Sequence, residues 1–272
     1  MKMNKTKKFS RIVSIFLLLA TLFLVGCEGD VVYHPSSKED VEVMGTPQAK
    51  PNGNGGGAKK RVAITYDDGP HNVRTVKIVD ELEKYGFSAT FFVVGNRIDG
   101  TEYNGTKGLK YAYAKGHEIA IHGYSHQLYY DSCTDAEYRD ELSKTHNAIK
   151  AVINNAPVKL MRPVGGKITE ERIKTCNYSV VKWDVDSEDW KNKYSDRSAD
   201  ENADEKIDAI VNNVMSSVKD GSIILMHDIY ESTYDATVII LKRLYEEGYE
   251  VVSVSELLGS NRAAGRLYTD GR

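Results

Sequence analysis

Between Arg61 and about Leu258, short apolar runs alternate with amphipathic segments, and few architectures accommodate that alternation. The strand candidates are residues 62–66, 89–94, 118–122, 159–162, 179–184, 222–226 and 250–254. Several are continuous apolar runs, as expected for strands covered on both faces. Helix candidates fill the intervals at 73–85, 108–115, 134–153, 170–175, 203–218 and 234–247. The third carries the strongest signal. Thr134 and Glu137 make a capping-box pattern there, and Tyr138, Leu142, Ile149 and Ile153 fall near one face. Seven strands alternating with helices predict a parallel α/β domain. An open doubly wound sheet and a barrel share this pattern, so it leaves closure open.

In such domains the functional side chains collect where strands end. The first candidate strand runs into Thr65-Tyr66-Asp67-Asp68-Gly69-Pro70, and the third into His122-Gly123-Tyr124-Ser125-His126. The fourth leads to Arg162-Pro163-Val164-Gly165-Gly166. The fifth leads to Asp184-Val185-Asp186-Ser187-Glu188-Asp189-Trp190, and the sixth to His227-Asp228. Five strand ends therefore bring ionisable groups to one rim. Two histidines four residues apart at a strand-to-turn junction can converge on one cation. A carboxylate then completes a set that leaves positions open for water and substrate. The adjacent Asp67 and Asp68 allow one to bind the cation while the other takes a proton from water. Taken alone, the histidine spacing is more often two unrelated surface residues, and Asp-Asp-Gly-Pro is more often a turn. Their coincidence on one rim is what gives them weight.

These residues resemble the polysaccharide deacetylases of carbohydrate esterase family 4, over about residues 60–258 and with five motifs in order. The resemblance implies a distorted (β/α) barrel of about seven parallel strands. It also implies roles: Asp67 as general base, and Asp68, His122 and His126 as ligands of a divalent metal. Zinc suits these donors, and cobalt or nickel would fit the same set. By the same resemblance Arg162 pairs with the base, and the Gly165 N–H helps hold the oxyanion. Asp186 tunes His227, the general acid; Trp190 lines the acetyl pocket; Leu225 packs on the acetyl methyl. The chain departs from the family at Gly123, where Ser or Thr is common, and at Val164, where Pro is common; at Gly165 the family has an aromatic or Gly. The implied activity is removal of N-acetyl groups from N-acetylglucosamine units of a cell-surface glycan, foremost peptidoglycan. O-acetylated xylan and chitin are alternatives within the family, and a non-catalytic carbohydrate-binding lipoprotein is an alternative of another class. Elsewhere, Tyr124 and Tyr130 are candidate sugar-stacking positions, Trp183 reads as core, and Asp228 as a cap.

The N-terminus addresses location. Lys2, Lys5, Lys7, Lys8 and Arg11 precede an apolar run at 15–25 broken only by Thr21. That is the pattern of a secretory signal peptide, and it is shorter than the roughly 20 apolar residues of a spanning helix. The run ends in Leu24-Val25-Gly26-Cys27, which resembles the bacterial lipobox, so lipidation at Cys27 is expected. The predicted organisation is a lipoprotein signal peptide at 1–26, a Gly-rich flexible linker at 27–60, a catalytic domain at 61–260 and a C-terminal tail at 261–272. The expected location is the outer face of a cell membrane, or the medium if cleavage occurs without lipidation. Cys133 and Cys176 have one possible pairing, with the reading leaning against a bridge. A net charge of -3 and a pI near 6.2 give no electrostatic case for nucleic-acid binding.

Overall fold

A computed structural model describes residues 59–272 except 99, 101 and 102. The predicted signal peptide, Cys27 and nearly all of the predicted linker lie outside the described residues. The regular part begins with β1 (Arg61–Asp67), α1 (Arg74–Lys84), β2 (Thr90–Val93), α2 (Thr106–Ala114), β3 (Glu118–Ile121), α3 (Asp135–Val152) and β4 (Leu160–Met161). It continues with α4 (Glu170–Thr175), β5 (Ser179–Val181), β6 (Val185–Asp186), α5 (Ala203–Met215), β7 (Ile223–His227), α6 (Glu231–Glu246), β8 (Glu250–Val251), α7 (Val254–Leu258) and β9 (Leu267–Tyr268).

The strands form one parallel sheet in the order β6-β7-β1-β2-β3-β4-β5-β9, with β8 beside the start of β1. It is an incomplete barrel. The candidate strand at 179–184 is broken in two: β5 pairs with β4 and β9, whereas β6 pairs with β7 at the other edge. Only residues 182–184 separate them, so four Cα steps of at most about 14 Å carry the chain across the seam. The sheet must therefore curl until its edges approach. The expected tail at 261–272 is also corrected, because it belongs to the domain. β9 pairs with β5, Gly271 N–H donates to the Gly221 carbonyl at 2.7 Å, and Arg272 Nη2 lies 2.9 Å from Asp184 Oδ2. These contacts tie the two sides of the seam together.

Alternation along β1 separates two cores. Val62, Ile64 and Tyr66 join the large apolar layer beneath the helices. Ala63 points inward with Phe92, Ala120, Leu160, Val181 and Ile223, closed by Val254 of α7. The candidate strand at 250–254 is thus shortened. Ser253 accepts from Glu256 N–H and starts α7, which explains why Val254 is helical. The capping box of α3 forms as expected, with Thr134 and Glu137 bonding each other's backbone N–H. Trp183 packs against the inner core.

Candidate active site

Asp67 and Thr65 continue the inward column of β1 above Ala63 and meet Arg162, which is fully buried. Arg162 Nη1 donates to Asp67 Oδ1 and to Thr65 Oγ1, both at 2.7 Å. Its Nε and Nη2 donate to the carbonyls of Val181 and Lys182, and its guanidinium carbon sits 4.1 Å from the Phe92 ring centre. One side chain just past β4 therefore crosses the barrel, braces the seam and orients the Asp67 carboxylate. Burial pulls the Arg162 pKa down, and the charge of Asp67 opposes that pull.

Asp68 stands in the left-handed region at φ 75. Its Oδ1 lies 2.8 Å from His126 Nε2 and 3.5 Å from His122 Nε2, and is buried without a hydrogen bond. Ligand atoms of Asp68, His122 and His126 all lie within 4.8 Å of one another. A carboxylate and two imidazoles this close, with an unsatisfied buried oxygen among them, fit a divalent cation. Burial opposes charge on Asp68, but the His126 contact and the charge of His227 outweigh it and hold the carboxyl well below its usual range. His122 behaves oppositely. Burial, partly offset by Asp67 and Asp68, pulls its pKa down and favours the neutral ring. Its Nδ1 is 2.9 Å from the Arg162 carbonyl, so donation there leaves the Nε2 lone pair facing the two carboxylates.

The polysaccharide deacetylase family model matches residues 54–181. A peptidoglycan-N-acetylglucosamine deacetylase of Bacillus cereus is 33% identical over 175 residues, covering 62% of this chain and 73% of the relative. The chain belongs to the polysaccharide deacetylase family. The peptidoglycan-N-acetylglucosamine deacetylase PgdA of Listeria monocytogenes is 31% identical over 238 residues, or 88% of this chain and 45% of that protein. The chain thus spans about half the length of the first curated relatives it matches. The solved structure of the peptidoglycan deacetylase PdaC from Bacillus subtilis superimposes with a TM-score of 0.64 at 34% identity, covering 73% of this chain and 89% of that one.

Within this family member, the partner of His227 corrects the expectation for Asp186. His227 Nδ1 lies 2.7 Å from Asp189 Oδ1, and Asp189 Oδ2 accepts from His227 N–H at 2.7 Å and Thr233 Oγ1 at 2.6 Å. Asp186 instead accepts from Glu188 N–H, in a turn where Glu188 has φ 54, and that bend delivers Asp189 to His227. Asp186 contributes through charge, as a neighbour that favours the protonated Arg162. Burial lowers the His227 pKa, but the charge and hydrogen bond of Asp189 overcome it and push the ring up to about 10. Parallel register sets His227 opposite Asp67, and Leu225 opposite Thr65. Leu225 is buried, whereas Trp190 is exposed on the rim.

Two supporting residues, Glu141 and Arg97, lay outside the sequence reading. Buried Glu141 of α3 accepts from Tyr124 N–H at 2.6 Å and Ser125 N–H at 3.0 Å, clamping the turn between the two histidines. Gly123 in that turn has φ 79, and a Cβ there would lie 2.9 Å from Tyr130 Oη and 3.1 Å from Glu141 Oε2. The departure from Ser or Thr thus follows from space and backbone conformation. Arg97 Nη1 donates to the Asp68 carbonyl at 2.6 Å. Asp228, read earlier as a cap, is buried behind Gly69 and bonded by the Thr75 hydroxyl. Burial, chiefly, pushes the Asp228 carboxyl up to about 7. Tyr130 is fully buried and so is excluded as a sugar platform. Cys133 and Cys176 are both free. A groove of ≈ 850 Å³ lined by His146, Arg172 and Tyr178 contains none of the candidate site residues.

Proposed function

We propose that the chain removes acetyl groups from N-acetylglucosamine units of peptidoglycan at the outer face of a membrane, anchored by a lipid on Cys27. The observation that carries the reading is one constellation. Asp68, His122 and His126 converge beside the Asp67–Arg162 pair, with the His227–Asp189 pair one strand away. The names of the relatives favour peptidoglycan over xylan or chitin.

Asp68, His122 and His126 would hold a divalent ion, with zinc the first choice for two nitrogen donors and one oxygen. When bound, the ion supplies a Lewis acid that activates water and polarises the acetyl carbonyl. Asp67, oriented by Arg162, accepts the proton of the attacking water. The Gly165 N–H donates to the oxygen that gains negative charge. Leu225 and Trp190 border the acetyl group. His227, kept protonated by Asp189, delivers a proton to the departing sugar nitrogen, which leaves poorly without one. The presence of base, candidate ligands and acid together favours an enzyme over a carbohydrate-binding module.

Acetate release from peptidoglycan, chitooligosaccharides and acetylxylan, with and without chelator, tests this reading. Release from peptidoglycan that chelator stops and zinc restores is the expected result. Preference for acetylxylan moves the assignment to an O-deacetylase. No release from any glycan by the zinc-loaded protein rejects the enzyme reading.

A further inference from the structure

The edge where β5 meets β9 leads back to the site through a single peptide unit. Pairing of β5 with β4 ends at Val180, whereas β9 pairs on to Val181. The Lys182 N–H donates to the Tyr268 carbonyl of β9 at 2.8 Å. The other side of that same peptide, the Val181 carbonyl, accepts from Arg162 Nε at 3.3 Å. The Lys182 carbonyl accepts from Arg162 Nη2 at 2.9 Å, and Arg162 Nη1 donates to Asp67 Oδ1. A continuous run of hydrogen bonds therefore leads from β9 to the Asp67 carboxylate.

β9 is itself fastened on both sides. Before it, the Gly265 N–H donates to the Tyr178 carbonyl at 3.1 Å, and Ser179 Oγ donates to the Ala263 carbonyl at 2.9 Å. After it, the Gly271 N–H reaches the Gly221 carbonyl and Arg272 Nη2 reaches the Asp184 carboxylate. The carbonyls that hold the guanidinium sit where the chain leaves β5 to cross the seam, so β9 is what steadies them at a strand break. A planar guanidinium with a rigid fork of donors is only as well oriented as its acceptors. On the deacetylase reading, on which this inference rests for the role of Asp67, that orientation reaches the base. We propose that β9 is a positioning element for the reaction: by fixing the Val181–Lys182 peptide it sets the angle of the Arg162 guanidinium, and through it the Asp67 carboxylate.

The test uses the full chain and its variants Tyr268→Pro and Tyr268→Ala. The register of β9 directs the Tyr268 N–H at the Val180 carbonyl, so proline breaks the ladder whereas alanine keeps it. Zinc affinity and acetate-release kinetics are measured beside solvent exchange of the Arg162 Nε proton, followed by NMR and assigned by its absence from Arg162→Lys. Tyr268→Pro should speed that exchange roughly tenfold. It should lower kcat about 10- to 100-fold, with KM and zinc affinity within about twofold of the parent. Tyr268→Ala should recover kcat to within about threefold of the parent. The proposal is overturned if Tyr268→Pro leaves the exchange or kcat unchanged, or if Ala is as impaired as Pro. It is also overturned if zinc affinity falls with kcat, since β9 then serves the fold as a whole. A zinc-loaded parent that releases no acetate defeats the deacetylase reading alone, and the exchange comparison still decides whether β9 holds Arg162.

Discussion

His122 and His227 are two imidazoles on one rim, and their surroundings drive them to opposite charge states. His122 follows β3, is buried, and meets a backbone carbonyl through Nδ1. Burial wins there and the ring is held neutral, as a cation ligand must be. His227 ends β7, and its Nδ1 meets the buried carboxylate of Asp189. There the carboxylate wins and the ring stays protonated to about pH 10, as a proton donor must be. What differs is the group behind Nδ1. A neutral carbonyl fixes a tautomer, whereas a buried carboxylate adds a charge.

The largest expected effect comes from breaking the second region. Asp189→Asn removes the charge that raises the His227 pKa, so burial then favours the neutral ring. The folded-state pKa lies above the ordinary 6.5, and the protonated acid is lost as pH rises through about 10. In Asp189→Asn that loss should occur at lower pH. At neutral pH, kcat should fall about 10²- to 10⁴-fold. A pH–kcat profile with an unmoved alkaline limb would show that Asp189 does not control the acid.

A smaller effect is expected from the first region. Glu141→Ala takes the acceptor from Tyr124 and Ser125 N–H and loosens the turn that spaces His122 from His126. Zinc affinity, read by competition with a chromogenic chelator, should fall by about 10- to 100-fold. Glu141→Gln should fall between parent and Ala, because an amide keeps one acceptor. Unchanged affinity in both variants would mean that the turn needs no clamp. The smallest effect sharpens the comparison from outside. Thr134→Ala removes the cap of α3, the helix that carries Glu141, and should cost about 1 kcal/mol in denaturant unfolding. Zinc affinity should stay at the parental level.

Much of this arrangement was legible in the residue order. Continuous apolar runs marked the parallel strands, and the polar clusters that end them identified the rim. The Thr134–Glu137 pair announced α3. The role at His227 fell to Asp186 in the sequence because it shares one short stretch with Asp189, and only the left-handed bend at Glu188 decides which carboxylate reaches His227. Glu141 looks solvated in a helix rich in charge, and nothing local says that it turns inward. The seam between β5 and β6 was invisible because Lys182-Trp183-Asp184 holds no Gly or Pro to mark a break between the two apolar stretches. β9 is only two residues long, too short for a periodic signal. Such features depend on contacts between distant segments, which composition and spacing do not encode.

The most direct test of this division of labour is zinc affinity and acetate release measured together on His122→Ala and His227→Ala. The account predicts that His122→Ala loses both, whereas His227→Ala keeps parental zinc affinity and loses acetate release. Retained zinc binding in His122→Ala, or equal zinc loss in the two variants, would contradict it.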